Sequence, residues 1–436
     1  MKCHMRNQLV LLLGFIFIFS NCKQDQGNLD ASFLHHFTNK MLEISMEDIY
    51  SPPVASRVFV YPNLVCYEVM LNAQGKSIMR QLDSSWNKGL TSDTTNVNYS
   101  IAALQAYCVV AKKLVFSEYM VDSMMTELKI KISKYPTKVQ KKSLDFGDVV
   151  GTKMIDWIKK DNYAFVKSAS QYTMPQTDST WIITPPNFDK ALEPNWKSLR
   201  FILLDSLRQF YPPRPPVFST SKESEFYNEA LKVYQEGKKQ DEEHHSIAKF
   251  WDCNPNEYFT SGHNTYFTHR LSPAGHWLNI TKERCLEGKL DFYNSSKVYA
   301  SVGIAIFDGI ISCWNAKFTE QLVRPITYIN RNIDLKWTPF IQTPPFPEYT
   351  SGHSVISGAS STVLIHYFGD KAFTDSTEVQ FGIEPRTFNS LTEAADQASI
   401  SRFYGGIHYL FGLSEGLKQG RSIGKHSVDK LELLSK

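Results

Sequence analysis

The residues of this sequence whose types and spacing could do chemistry together stand in three short segments of its last third. The first is Lys317-Phe-Thr-Glu-Gln-Leu-Val-Arg324-Pro325. Seven positions put Lys317 and Arg324 almost two turns apart on one helix face, so two long cationic side chains can converge. Pro325 disfavours helix at Arg324 and places the pair at a helix end. Alone, such cations read first as the ordinary complement of a helix C-terminus. The second, Phe346-Pro-Glu-Tyr-Thr-Ser351-Gly352-His353, runs into an apolar stretch. At a helix start it offers a hydroxyl, free backbone N–H groups and an imidazole, which make an anion site with an acid–base group attached. Alone it could be an N-cap followed by a buried histidine. The third is Ser401-Arg402-Phe-Tyr-Gly-Gly-Ile-His408, where glycines let the backbone approach a ligand closely.

Together, Lys-x6-Arg-Pro, Ser-Gly-His and Ser-Arg-x3-Gly-x-His resemble the signature shared by vanadium-dependent haloperoxidases and type 2 phosphatidic acid phosphatases. The motifs cover 317–408, and context carries the resemblance back to about residue 240. It implies a helical protein that holds vanadate or phosphate in one pocket. Lys317, Arg324 and Arg402 would neutralise the equatorial oxygens, and Ser351 with the Gly352 amide would hydrogen-bond them. His353 would be the acid–base group. His408 would bond vanadium, or attack phosphorus in a phosphatase. Trp314 and Phe346 resemble the aromatic pair lining a halide site, with core packing as the plain alternative. Lys249-Phe-Trp-Asp252 resembles a stretch whose carboxylate pairs with the third-motif arginine, which nominates Asp252 as partner of Arg402.

The implied activity is oxidation of halide by hydrogen peroxide at a His-bound vanadate. The alternatives are hydrolysis of a phosphate ester through a phosphohistidine, and a lipoprotein that binds phosphate or vanadate without turnover. Two departures from the pattern stand out. Thr350 replaces the usual proline before Ser-Gly-His. Gly412, four residues after His408, replaces an aspartate that would orient the imidazole. A neighbouring carbonyl, Ser414, Glu415 or water would then have to hold the ring.

The elements that must position these groups are helical. Ile101–Phe116 is too apolar for a surface helix, and Glu223–Phe250 has an amphipathic pattern with Phe226, Ala230, Leu231, Tyr234 and Ile247 on one side. Val298–Val323 and Ser354–Tyr367 are further helices, and Ser390-Leu-Thr-Glu393 has capping-box spacing. Alternating strand patterns are scarce. Tyr211-Pro-Pro-Arg-Pro-Pro216 cannot be helix interior and reads as an extended connection, and Thr-Pro-Pro at 184–186 and 343–345 marks further extended loops. The predicted architecture is all-α: a helical region over 31–215 packed on a catalytic helical bundle over 216–436.

The chain has 436 residues, 42% of them hydrophobic, enough for a large core. A net charge of +3 with no basic run gives no support for a nucleic-acid or membrane-surface partner. Lys2 and Arg6, the apolar Leu9–Phe19 and then Ser20-Asn-Cys22 read as a lipoprotein signal over 1–22. That apolar run is shorter than the roughly 20 residues a membrane span needs. Cys22 would be lipidated and 23–30 would form a tether, so the membrane is touched only through the lipid, in the periplasm or at the outer membrane. Cleavage by ordinary signal peptidase is the alternative. Cys3 would leave with the signal. Cys66, Cys108, Cys253, Cys285 and Cys313 form no disulfide framework, and no CxxC or CxxxH pair points to zinc.

Overall fold

A computed structural model of the protein describes residues 27–86, 93–170, 172–175, 177–255 and 257–436. The signal segment, the Cys22 lipidation site and the first half of the tether lie outside the described residues. In chain order the α-helices are α1 (Ala31–Glu47), α2 (Pro52–Asn72), α3 (Met79–Leu82), α4 (Tyr99–Leu114), α5 (Glu118–Ile132), α6 (Thr137–Ile158) and α7 (Tyr163–Ser168). After a long irregular segment come α8 (Glu225–Lys238), α9 (Glu242–Phe250), α10 (Pro273–Glu287), α11 (Phe292–Glu320), α12 (Pro325–Asn332), α13 (Gly352–Phe368), α14 (Leu391–Tyr404) and α15 (Leu410–Leu434). Two small antiparallel hairpins complete the set, β1 (Tyr258–Ser261) with β2 (Asn264–Phe267) and β3 (Phe373–Asp375) with β4 (Arg386–Phe388).

Helix starts follow local chemistry. Asp30, Asn98, Asp241, Asp291 and Ser390 each accept a hydrogen bond from the first turn of the helix they cap. Pro52 and Pro273 stand in first turns, where their missing N–H costs nothing. The amphipathic pattern over 223–250 proves to be two helices. Gln240 takes a left-handed conformation (φ 53°) and Asp241 caps a fresh start, which sets α9 against α14.

The centre of the molecule is α11, whose side chains are buried from Val298 to Trp314. Among the described residues it is the one helix long and apolar enough to cross a membrane, yet 94% of its apolar window is buried inside the protein. It is a core helix, wrapped by α2, α13 and α15. The α13 and α15 backbones come very close, since a Cβ on Gly420 would stand 2.2 Å from the Val355 carbonyl oxygen. One hydrophobic core runs from Leu29 to Leu431, so the N-terminal and C-terminal helices bury their apolar faces against each other.

Among the ties that hold the irregular segment between α7 and α8 to that core is a buried acid. Asp308 of α11 accepts the backbone N–H groups of Ile202, Leu203 and Leu204 at 2.8, 2.8 and 3.1 Å. Burial raises its carboxyl to about 6 despite those three donors. The proline-rich run is extended, and lies along the C-terminal half through bonds from Tyr349 Oη to the Pro213 carbonyl and Tyr328 Oη to the Ser219 carbonyl.

Candidate active site

Lys317 sits on the last turn of α11, but Arg324 is not on the same helix face. Gln321 adopts a left-handed conformation (φ 52°) and ends the helix, and Arg324 is extended as Pro325 requires. The two cations converge because the chain turns, not because one helix carries both. Lys317 Nζ donates to the Pro347 and Glu348 carbonyls at 2.9 Å each. Arg324 donates from Nε to the Phe346 carbonyl and from Nη1 to the Ile407 carbonyl, both at 2.8 Å. Both charges lie over the Phe346 ring, 4.9 and 5.0 Å from its centroid.

Arg402 comes from the end of α14. Its Nη1 donates to the Trp251 carbonyl at 2.8 Å, and its Nη2 pairs with Asp252 at 3.2 Å. All three cations are buried. Each arginine uses part of its fork for positioning and leaves one nitrogen over: Arg324 Nη2 and Arg402 Nε are buried without a protein partner. Burying cationic donors that nothing in the protein satisfies is costly unless an anion completes them.

His408 follows Gly406, whose positive φ of 78° turns the chain sharply before α15. Its Nδ1 lies 2.7 Å from Glu348 Oε1, and its Nε2 lies 3.1 Å from Arg324 Nη1. With the proton on Nδ1 toward the carboxylate, Nε2 is the acceptor of the Arg324 Nη1 hydrogen bond, the lone pair that an incoming ligand atom would take over. Ser414 and Glu415 do not hold the ring: Ser414 is exposed and bonds the Phe411 carbonyl, and Glu415 pairs with Lys418. Glu348 performs that task from the other side. It also explains Gly412, because a Cβ there would stand 2.4 Å from Glu348 Oε1. The carboxylate occupies the space an aspartate at 412 would need. Glu348 stands inside the second motif, and its place three residues before Ser351 is the signal that sequence reasoning passed over.

His353 opens α13, where Ser351 is the N-cap and its Oγ accepts from the Ser354 N–H at 3.3 Å. His353 Nε2 lies 3.0 Å from the Trp251 carbonyl, so that carbonyl accepts from both His353 and Arg402 and leaves His353 Nδ1 unprotonated. Thr350 ties the motif to the core, its hydroxyl bonding Gln419 at 2.7 Å.

His353, Arg402, His408, Trp314, Phe346 and Gly352 face one cavity of about 40 Å³. A single water needs roughly 10–15 Å³, so the space suits a small tetrahedral anion. Lys317 and Arg324 stand one layer back against Phe346, and Ser351 is wholly buried. Trp314 and Phe346 form an aromatic wall with ring centroids 5.1 Å apart. Beside this cavity lies a larger cleft of about 420 Å³ with Tyr258 and Phe340 in its wall; Gln342 lines both.

The electrostatics follow from burial among like charges. Burial, then Arg324, Lys317 and Arg402, hold His408 well below the usual imidazole range; burial and Arg402 do the same to His353. Both rings are neutral at pH 7. Burial lowers Lys317 to about 7 and Arg324 to about 10, and raises Glu348 to about 7.

Residues 297–436 match the family model of the second helical-bundle domain of vanadium chloroperoxidase. No curated protein sequence gives a significant match. Among solved structures, a bacterial vanadium-dependent chloroperoxidase aligns with a TM-score of 0.65 at 17% identity, covering 89% of this chain and 96% of that one, a likeness of fold alone. A bacterial vanadium-dependent iodoperoxidase aligns with a TM-score of 0.83 at 36% identity, covering 92% of this chain and 97% of that one. At that identity over nearly the whole of the second protein the likeness extends from the fold to the sequence, and the chain belongs to the vanadium-dependent haloperoxidase superfamily.

Proposed function

We propose that this protein oxidises halide with hydrogen peroxide at a vanadate bound through His408 Nε2. One observation carries the reading: Glu348 fixes the Nδ1 proton, so Nε2 presents its lone pair among three buried cations. The unpartnered Arg324 Nη2 and Arg402 Nε fit the oxygens of such an anion. Bound there, vanadate supplies a Lewis acid that activates peroxide for oxygen transfer to halide.

The chain's own residues do the rest. Lys317, Arg324 and Arg402, all buried, balance the anion's charge, and fixed donors act most strongly away from bulk water. His353 Nδ1, neutral at pH 7, takes a proton from incoming peroxide and returns it to the departing oxygen. Overall, peroxide and halide with one proton become hypohalous acid and water. Trp314 and Phe346 give the halide an apolar wall, and the 36% identical iodoperoxidase favours iodide as the halide to assay first.

The test is a pair of variants. His408→Ala should abolish both vanadate binding and peroxide-dependent iodide oxidation. His353→Ala should retain vanadate and slow turnover by roughly a hundredfold or more. Full halide oxidation in His408→Ala, or hydrolysis of p-nitrophenyl phosphate in place of halide oxidation, would overturn the reading. The same proposal places the protein outside the cytoplasm on a lipid at Cys22, supported by the basic start, short apolar run and Ser20-Asn-Cys22. Cys22→Ser should then release it from membranes, and unchanged detergent partitioning would count against the anchor.

A further inference from the structure

Behind the wall that holds Arg402 and His353, three side chains far apart in sequence bring one ligand atom each to a common point. Cys253 Sγ lies 3.3 Å from His276 Nδ1, and Glu378 Oε1 lies 3.1 Å from the same nitrogen. All three atoms fall within 4.8 Å of one another, and all three residues are buried. Glu378 Oε1 has no hydrogen-bond partner although its residue is only 2% exposed. Donors bonded to one divalent ion at about 2.0–2.3 Å sit roughly 3.0–3.6 Å apart, and both distances from His276 Nδ1 fall in that range. His276 Nε2 meets Asp375 Oδ2 at 2.7 Å, the outer carboxylate contact that commonly fixes a metal-bound imidazole.

The geometry points to a structural transition-metal site, of the zinc class, formed by Cys253, His276 and Glu378 and supported by Asp375. Thiolate, imidazole and one carboxylate are the donors of a borderline-soft ion, and a thiolate disfavours calcium or magnesium. Three protein ligands leave one position for water. The metal releases the thiol proton of Cys253 and any proton on His276, and no redox partner is needed.

The site adjoins the oxyanion pocket, whose cavity Cys253 also lines. Cys253 follows directly on Trp251 and Asp252, the carbonyl and carboxylate that hold Arg402. His276 stacks on Trp251, ring centroids 4.6 Å apart. An ion here ties that turn to α10 and to the short helical turn Thr377–Phe381 after β3. The placement also shows why the sequence carries no CxxC or CxxxH signal: the ligands come from three separate elements.

The experiment measures metal in the full-length protein, purified without a metal-affinity step. Plasma mass spectrometry should find about one zinc per chain, falling at least fivefold in Cys253→Ser and in His276→Ala. Protein stripped with a chelator and refilled with Co²⁺ should show a thiolate-to-cobalt charge-transfer band, absent in Cys253→Ser. Zinc below about a tenth of an equivalent in the wild type, together with no thiolate band after Co²⁺ addition, would overturn the site and leave His276 as a protonated imidazolium between two carboxylates. Both wild-type measurements stand even if a variant fails to fold.

Discussion

At the scale of single residues, the exchange between Glu348 and Gly412 is the most direct test of how this site is built. An imidazole that must present one nitrogen to a ligand needs its other nitrogen held, and groups of that kind are worth about 10–100-fold in affinity or activity. Glu348→Ala should therefore weaken vanadate binding by about 10–100-fold, read by titration. Gly412→Asp alone should also impair binding, because its Cβ meets the Glu348 carboxylate. The double variant Glu348→Ala/Gly412→Asp should recover much of the loss, and wild-type affinity in Glu348→Ala would show that the ring is held otherwise. The same residues set the pH response. Below about pH 7 Glu348 protonates and no longer fixes the Nδ1 proton; above about pH 7 Lys317 loses its charge. Vanadate affinity of the free protein should pass through a maximum near neutrality and fall on both sides, and Glu348→Gln should remove the acid limb only.

Among the elements, α11 does two jobs, since it is the core of the protein and carries Lys317 at its end. Its buried Asp308 is the one acceptor for three successive amides of the segment that leads from the N-terminal helices to the catalytic ones. Asp308→Ala leaves those N–H groups buried and unpaired at roughly 1–3 kcal/mol each before relaxation, so a net loss of about 3 kcal/mol is expected. Asp308→Asn keeps one acceptor oxygen and should lose less. Urea unfolding checks this: the midpoint should drop with an unchanged slope. A midpoint equal to wild type would mean that the segment finds other partners.

For the whole molecule, the cradle is assembled from α11, the turn before α12, the loop before α13, α14 and the turn before α15, so an anion bound there joins elements that are separate in sequence. A ligand that binds only the folded state at 100 times its dissociation constant adds about 2.7 kcal/mol of stability. Vanadate should raise the melting temperature measurably by differential scanning fluorimetry, phosphate should compete, and Arg402→Ala should abolish the shift. A melting temperature indifferent to vanadate would contradict the pocket.

Much of this protein is determined locally, and that part is legible in the sequence. Helix type over 101–116 and 354–367, the Ser390 start of α14, the extended proline run and the three motif segments all follow from short-range periodicity, capping and backbone restriction. The Asp252–Arg402 pairing is implied only by the family resemblance, and the fold brings the two together at 3.2 Å. What the tertiary structure decided depends on distance across the fold. Lys317 and Arg324 share a pocket although they do not share a helix, because Gln321 ends α11 and Pro325 forces the chain to turn. Glu348, rather than Ser414 or Glu415, holds His408: an α-helix points the side chains of 414 and 415 outward, while a loop 60 positions earlier in the chain delivers a carboxylate into the space that the missing Cβ of Gly412 leaves open. Spacing along a chain reports neighbours on one element, and which element meets which is settled only when the cores of both halves close on α11.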